Sequence, residues 1–247
     1  MKITHAMVLA AGLGTRMRPI TNTMPKPLVA IAGRPMIDYV LDILVAAGVE
    51  QVVINVHHFA EQMEAHLAGY HGLNILISDE REALMNSGGG LVKGLKLLDR
   101  SPAFVMNADL FWIGDESADK SNLSLLADFF DPARMDMALL CVPLERTTGH
   151  NGKKDFSLGA DGRLKRYTEG DPAPVVYAGA IALLPELFDD APQDAFNLNI
   201  YFDRAIARSR LYSVEMAGQW LTVGTPEAIS EAEETIRRFP PADSDGA

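Results

Sequence analysis

Short apolar runs alternate with amphipathic stretches through the first half of the chain. Runs that are bounded by Gly, Pro or polar residues predict buried strands. These runs cover residues 6–9, 51–56, 73–77, 103–106 and 137–142. Between them, apolar residues recur at helical spacing in residues 37–45, before Gly48, and again in residues 59–67. This alternation predicts one Rossmann-like α/β domain, in which helices flank a mostly parallel central sheet.

The pattern changes after Pro143. A polar, Gly-rich stretch reaches Gly162, and alternating runs follow at residues 164–167 and 175–182, which predict an antiparallel insertion over the ligand-bearing edge of the sheet.

Two further helices are expected at residues 200–208 and 225–238, the second with Thr225 as N-cap and Pro226 at the first helical position. Neither an internal repeat nor a linker interrupts the pattern. We therefore expect one domain over residues 1–239 and a frayed tail at residues 240–247.

The charge balance limits what the chain can bind. Lys and Arg total 22 and Asp and Glu total 33, so the net charge is -11. This excess of negative charge argues against a general nucleic-acid or membrane surface. An anionic small ligand would have to be held by a few locally placed cations.

Cysteine usage and the chain start indicate a compartment. Cys141 is the lone cysteine and lies in an apolar run, so a buried thiol in a reducing environment is expected. No apolar run has the length of a membrane span, and the first residues lack a signal-peptide pattern. We expect a cytoplasmic protein, either a monomer or a small homo-oligomer.

A loop rich in small residues follows the first predicted strand, reading LAAGLGTRMRP and later PKPL. Gly12 and Gly14 permit backbone conformations that other residues avoid, so N–H groups from Ala11 to Thr15 can converge on phosphate oxygens. The planar guanidinium of Arg16 can donate two hydrogen bonds to β- and γ-phosphates. Lys26 lies between two prolines, and its ammonium group can bind the α-phosphate. A GxG turn alone is equally compatible with tight packing. The third glycine of a dinucleotide motif and the GxxxxGK[ST] motif are both absent.

Asp109 follows the apolar run at residues 103–106. It is therefore expected at the carboxyl end of a strand, where open α/β sheets bind ligands. A carboxylate there suits Mg²⁺, which prefers one or two carboxylates together with phosphate oxygens and water. A helix-capping Asp in a turn is the alternative.

Two other groups of polar and small residues are candidates for binding a nucleoside and a sugar. The turn from Ser87 to Gly90 precedes a predicted helix at residues 91–98, so Ser87 and Gly88 can let a base and ribose approach the backbone. A glycine cluster that only starts a helix is the alternative. The sugar-binding candidates are Asn107, Asp155 and Glu169, whose oxygens can accept hydrogen bonds from hydroxyl or amide groups.

The complete pattern LAAGxGTRxxPxTxxxPKPL resembles the signature of the sugar nucleotidyltransferase family, the nucleoside-diphosphate-sugar pyrophosphorylases. The resemblance implies transfer of a nucleotidyl group to a sugar 1-phosphate with release of pyrophosphate, Asp109 as a Mg²⁺ ligand, and no hexapeptide-repeat domain. Three later segments, at residues 87–90, 107–112 and 150–158, resemble the short members that use UTP and N-acetylmuramate 1-phosphate in peptidoglycan recycling.

Two departures from the family pattern leave alternatives open. Thr222 stands where relatives carry an Asp that contributes to the metal site, and the lysine of an EKP-type segment is missing, so Lys153, Lys154 and Lys165 are only candidates for holding the sugar phosphate. The alternatives are a guanylyltransferase for mannose or heptose 1-phosphate, a cytidylyltransferase for a phosphorylated alcohol, and a catalytically weakened sugar-nucleotide sensor.

Overall fold

Strands of five to ten residues build the centre of the molecule, and most of them are buried on both faces. The computed structural model describes residues 1–115 and 118–239, so the expected tail at residues 240–247 lies outside the described residues. The strands are β1 (His5–Leu9), β2 (Ala30–Ile31), β3 (Arg34–Pro35), β4 (Gln51–Val56), β5 (Asn74–Asp79), β6 (Ala103–Asn107), β7 (Leu110–Ile113), β8 (Met137–Val142), β9 (Thr147–Thr148), β10 (Phe156–Leu158), β11 (Leu164–Arg166), β12 (Pro174–Leu183), β13 (Leu211–Glu215) and β14 (Gln219–Thr222).

The central sheet has the order β5-β4-β1-β6-β12-β8-β13. Strands β5, β4, β1 and β6 are parallel to one another, as are β8 and β13, whereas β12 runs antiparallel to both of its neighbours. The five strands expected from the apolar runs are all present within two residues of their predicted ends. The mostly parallel sheet is therefore confirmed.

Helices cover both faces of this sheet. They are α1 (Met36–Ala46), α2 (Ala60–Leu67), α3 (Asn86–Leu95), α4 (Asn122–Phe129), α5 (Asn199–Ala207) and α6 (Glu227–Arg238). Side chains alternate across each strand, so in β4 Val52 and Ile54 belong to the core cluster that includes residues of α1, α2 and α4, while Val53 belongs to the cluster that includes residues of α3 and α5. This layering confirms the α/β prediction. No helix within residues 1–115 and 118–239 has the length and apolar character needed to cross a membrane.

Two smaller β units flank the edge of the sheet where β1 and β6 end. Strands β10 and β11 form an antiparallel hairpin that pairs with the start of β12. The run at residues 164–167 therefore lies in an antiparallel insertion as predicted, but the run at residues 175–182 is the strand β12 of the central sheet, so its assignment to the insertion is wrong. Strands β7, β14 and β9 form a separate three-stranded sheet, in which Thr222 pairs with Leu110. The second sheet therefore brings the Trp220–Thr222 segment beside the residue that follows Asp109.

Helix α3 differs from the prediction, because the glycine cluster lies inside the helix rather than in a turn before it. Each glycine in an exposed helix costs about 1 kcal/mol relative to alanine, so the pattern favours a later start. Tertiary packing outweighs this cost. A Cβ atom on Gly88 would clash with the ring of Phe196, and one on Gly94 would clash with the sulfur of Met7.

Helix α6 starts one residue later than predicted. It begins at Glu227, and Pro226 occupies the cap position with no side-chain cap, so the prediction of Thr225 as N-cap is wrong. The Thr225 carbonyl instead accepts a hydrogen bond from the Ala228 N–H at 3.2 Å. The proline ring fixes a helical φ but supplies no N–H of its own, so the hydrogen-bonded turn starts after it.

Candidate active site

The carboxyl ends of β1 and β6 bring the candidate residues to one edge of the sheet. Leu9 pairs with Asn107, and the Ala108 N–H donates to the Leu9 carbonyl at 3.1 Å. The chain segments that leave these two strands therefore start side by side. Asp109 and the glycine-rich loop meet at this edge, where parallel α/β sheets bind their ligands.

The glycine-rich loop turns back on the segment that carries Lys26. Gly14 has a φ of +61°, and a Cβ atom there would lie 2.9 Å from the Lys26 Cβ and 3.0 Å from the Thr21 Cγ2. The buried Thr21 hydroxyl donates to the Gly14 carbonyl at 2.8 Å and holds this turn. Gly12 differs, because its φ lies outside the left-handed region and a Cβ would meet nothing within 4 Å. The expectation of an unusual backbone conformation is therefore correct for Gly14 and wrong for Gly12.

Lys26 and Asp109 form an ion pair at the centre of this edge, although 83 residues separate them in the chain. The Lys26 Nζ donates to the Asp109 Oδ2 at 2.5 Å, and the two side chains are 10% and 36% exposed. The other Asp109 oxygen accepts no hydrogen bond from residues 1–115 or 118–239. The pair thus presents one free carboxylate oxygen and a nearly buried ammonium to the same space.

Three adjoining cavities lie at this edge of the sheet, and the pair lines two of them. The central cavity, of about 300 Å³, extends from Lys26 and Asp109 to Asn55, Leu84 and Asn86. The loop cavity, of about 370 Å³, lies along the glycine-rich loop and shares Gly12, Lys26, Leu84 and Asp109 with the central cavity. The side cavity, of about 220 Å³, lies toward β10, β11 and α5 and shares Leu9, Ser87 and Asn107 with the central cavity.

Most of the predicted site residues line these cavities. The central cavity is lined by Ala11, Gly12, Lys26, Ser87, Asn107 and Asp109; the loop cavity by Gly12, Gly14, Thr15, Arg16, Lys26 and Asp109; and the side cavity by Ser87, Asn107 and Asp155. Gly88 and Glu169 line none of the three. The Gly88 N–H donates to the Phe196 carbonyl at 2.8 Å, and the exposed Glu169 accepts a hydrogen bond from the Tyr167 hydroxyl at 3.3 Å.

The chain is similar to known proteins over most of its length. Residues 5–147 match the family described as nucleotidyl transferase. The chain belongs to this family. It is 44% identical, over 94% of its own length and 96% of the relative's, to an N-acetylmuramate alpha-1-phosphate uridylyltransferase of Caulobacter vibrioides. It is 32% identical, over 92% of its length and 96% of the relative's, to the protein of the same name in Neisseria meningitidis serogroup B.

A solved structure supports the fold of this nucleotidyltransferase. A UDP-glucose pyrophosphorylase complexed with UDP-glucose superposes with a TM-score of 0.75, and the match covers 96% of this chain and 99% of the other. The two sequences are 20% identical, so this likeness concerns the fold alone.

Arg166 is a cavity-lining cation that the sequence reasoning missed, since only lysines were considered for holding the sugar phosphate. Arg166 lines the side cavity. Of the lysine candidates, Lys165 pairs with Asp171 at 2.6 Å and Lys154 donates to the Tyr167 hydroxyl at 3.0 Å. Strand periodicity contained the missing information, because Arg166 shares a face with the buried Leu164 while Lys165 points the other way.

A buried polar network behind the central cavity was also missed. Glu80 is 1% exposed, and its two carboxylate oxygens accept hydrogen bonds from the Asn55 amide at 2.7 Å and the Met85 N–H at 3.0 Å. The Asn55 Oδ1 in turn accepts from the Ala10 N–H at 2.6 Å. These bonds fix the orientation of the Asn55 amide and tie the start of the glycine-rich loop to the ends of β4 and β5.

Gly90→Ala should disturb this network. A Cβ atom at Gly90 would lie 2.6 Å from the Glu80 Oε1 and 2.7 Å from the Asn55 Nδ2, and both groups are buried and hydrogen-bonded. We expect the free energy of unfolding to fall by about 1–3 kcal/mol, the usual cost of overpacking. Denaturant unfolding measures this. Gly69→Ala is the control, because its nearest contact would be an ordinary 3.5 Å, and equal stability of the two variants would contradict the prediction.

Proposed function

We propose that this enzyme transfers a uridylyl group from UTP to N-acetylmuramate 1-phosphate and releases pyrophosphate. The observation that carries the proposal is that two cavities meet at the Lys26–Asp109 pair, and that a third cavity joins the central one through Leu9, Ser87 and Asn107. A triphosphate in the loop cavity, a nucleoside in the central cavity and a sugar in the side cavity would bring the reacting phosphorus to this pair. The names of the two relatives at 44% and 32% identity support the choice of base and sugar.

The proposed reaction forms a bond between a phosphate oxygen of the sugar 1-phosphate and the α-phosphorus, while the α–β phosphoanhydride bond breaks. The nucleophile is already an anion, so the site needs positioning and charge neutralisation rather than a general base. In this proposal, Lys26 holds the α-phosphate, Arg16 holds the β- and γ-phosphates, and the backbone from Ala11 to Thr15 supplies N–H donors. Asn107 and Asp155 hold the sugar.

Asp109 suits Mg²⁺ as a single protein carboxylate. Within the described residues no group of three or more His, Cys, Asp or Glu side chains forms a metal cluster. A lone carboxylate with one free oxygen fits a hard cation whose remaining ligands are phosphate oxygens and water. When bound, Mg²⁺ would neutralise charge on those phosphates. Because Lys26 already pairs with Asp109, we expect tight metal binding only together with the nucleotide.

Thr222→Asp should strengthen the binding of Mg²⁺. Thr222 pairs with Leu110, and the next residue, Val223, donates its N–H to the Asp109 carbonyl at 3.3 Å. An added carboxylate beside Asp109 should lower the Mg²⁺ concentration for half-maximal activity, by about tenfold if it contributes about 1.4 kcal/mol. Calorimetric titration with Mg²⁺ and a non-hydrolysable UTP analogue should show the same shift.

The control for this variant is Gln219→Glu. It adds the same charge at the far end of β14, opposite Ile113, and should leave the Mg²⁺ requirement unchanged. If Thr222→Asp also leaves the requirement unchanged, residue 222 does not face the metal, and the correspondence between this segment and the family motif is incorrect.

A substrate matrix tests the proposed function. Each of the four nucleoside triphosphates is combined with N-acetylmuramate, N-acetylglucosamine, glucose, mannose and heptose 1-phosphates, and pyrophosphate release is measured. The proposal predicts the highest kcat/KM for UTP with N-acetylmuramate 1-phosphate. Preference for GTP with mannose or heptose 1-phosphate would replace it by the guanylyltransferase alternative. Nucleotide binding without turnover of any pair would favour the sensor.

We also propose a cytoplasmic location and a role in peptidoglycan recycling. UTP is a cytoplasmic substrate, and the lone thiol, Cys141, is unpaired and buried. Burial raises the pKa of this thiol to about 12, so it should stay protonated and unreactive. A monomer or small homo-oligomer without nucleic-acid or membrane partners remains our prediction.

A further inference from the structure

The side cavity contains a guanidinium group that is held in a fixed orientation. The Arg166 Nε donates to the Asp203 Oδ1 at 2.8 Å, and its Nη2 donates to the Asn199 Oδ1 at 2.9 Å. The guanidinium carbon lies 4.8 Å from the centroid of the Phe156 ring. Within the described residues, Nη1 makes no hydrogen bond. The Arg166 Nη1 is therefore a free donor group, and the neighbouring residues already fix the plane of the guanidinium.

This cation lies apart from the proposed phosphate positions. Lys26 and Asp109, where the two phosphates would react, line the central and loop cavities, whereas Arg166 lines only the side cavity. The side cavity joins the central one through Leu9, Ser87 and Asn107. A sugar 1-phosphate with its phosphate at that junction would direct other substituents of the sugar toward Arg166.

The side cavity also has a rigidly held negative group. The Asp155 Oδ2 accepts a hydrogen bond from the Tyr177 N–H at 3.1 Å, and the Asp155 N–H donates to the Val175 carbonyl. A carboxylate favours hydroxyl and amide donors and repels an anion, whereas a guanidinium favours an anion. Within the side cavity, Asp155 would therefore bind hydroxyl or amide groups of the sugar, whereas Arg166 would bind an anionic substituent of the same sugar.

We propose that Arg166 binds a carboxylate on the sugar and so makes the enzyme selective for sugar 1-phosphates that carry an acidic substituent. The inference rests on the proposed function. In N-acetylmuramate the acidic substituent is the lactyl ether carboxylate, which N-acetylglucosamine lacks. In a chain with a net charge of -11, a specific cation offsets the repulsion that a second anionic group on the substrate would meet.

The test compares three substrates with saturating UTP: N-acetylmuramate 1-phosphate, its lactyl carboxamide, and N-acetylglucosamine 1-phosphate. We expect the wild type to prefer the acid over the amide by about 10- to 100-fold in kcat/KM, the usual range for a charge-assisted hydrogen bond. Arg166→Met should lose most of this preference. Its kcat/KM should fall for the acid and stay within about threefold for the other two substrates.

Arg163→Met is the matched control. Arg163 immediately precedes β11, pairs with Asp161 at 2.7 Å and lies over the ring of Tyr212, but it lines none of the three cavities. The control should leave all three substrates unaffected, although it removes a comparable ion pair and ring contact.

Two results would overturn the inference. The first is a wild type that uses the acid and the amide equally well. The second is an Arg166→Met variant that loses the same factor with all three substrates, because Arg166 would then hold the phosphate or only support the fold. If this variant fails to bind UTP in calorimetry, the acid-to-amide ratio of Arg166→Gln decides, because glutamine removes the charge but keeps a polar side chain, and an unchanged ratio overturns the inference. Failure of the proposed function is a separate result, in which the wild type turns over none of these substrates with UTP.

Discussion

Lys26→Ala should lower kcat/KM on the order of a hundredfold or more, the largest effect that we expect from a single substitution. The Lys26 ammonium is nearly buried and is held at 2.5 Å from Asp109, so it is oriented before any ligand binds. A preorganised charge of this kind stabilises a developing negative charge without further reorganisation, and its removal typically costs this much. Pyrophosphate release with UTP and N-acetylmuramate 1-phosphate measures the loss.

Lys2→Ala is the control for this substitution. The Lys2 ammonium also pairs with a carboxylate, that of Glu50 at 3.0 Å, but its side chain is 75% exposed and lies in the N-terminal segment before β1. We expect activity within about twofold of wild type, since exposed ion pairs contribute little. Near-normal activity of Lys26→Ala would remove Lys26 from the mechanism.

Metal binding gives a second measurement on the same variant. Removal of Lys26 leaves both oxygens of Asp109 free, and Asp109 is exposed enough for water to solvate it. Lys26→Ala should therefore bind Mg²⁺ without nucleotide more tightly than the wild type does. A calorimetric titration that shows weaker binding would contradict competition between Lys26 and the cation.

Asp109→Asn should have the second largest effect. The amide keeps the shape of the carboxylate but loses the charge that attracts a cation, and it leaves the Lys26 ammonium without its counter-ion. We expect the protein to fold, the Mg²⁺ concentration for half-maximal activity to rise more than tenfold, and kcat/KM at limiting Mg²⁺ to fall on the order of a hundredfold.

The control for the aspartate is Asp99→Asn. Asp99 is exposed and accepts a hydrogen bond from the Ser101 N–H, away from the three cavities. This control should have the metal requirement of the wild type. An Asp109→Asn variant with an unchanged Mg²⁺ requirement would show that Asp109 is not the metal ligand.

The sequence by itself determined the layers of the fold, because burial imposes a local period. In β4, successive apolar residues face two different helical layers, and in α1 the apolar residues recur every three to four positions. Both elements can therefore be predicted from the sequence pattern without tertiary information. The sequence also singled out Gly14, Arg16, Lys26 and Asp109 as candidates, since each belongs to a short motif, and the structure places all four along the central and loop cavities.

Only the tertiary structure decided how these residues meet. The ion pair between Lys26 and Asp109 depends on the register of β1 with β6, and no local period encodes a pairing across 83 residues. The glycines of α3 lie within the helix because Phe196 and Met7 pack where side chains would otherwise be.

Arg166 illustrates the same limit. Strand periodicity tells which face of β11 it occupies, but the side cavity exists only where that face meets α5 and the end of β1. Which cavity a side chain lines depends on contacts between segments that are distant in the chain. These contacts follow from the packing of the whole domain, which a local pattern does not contain.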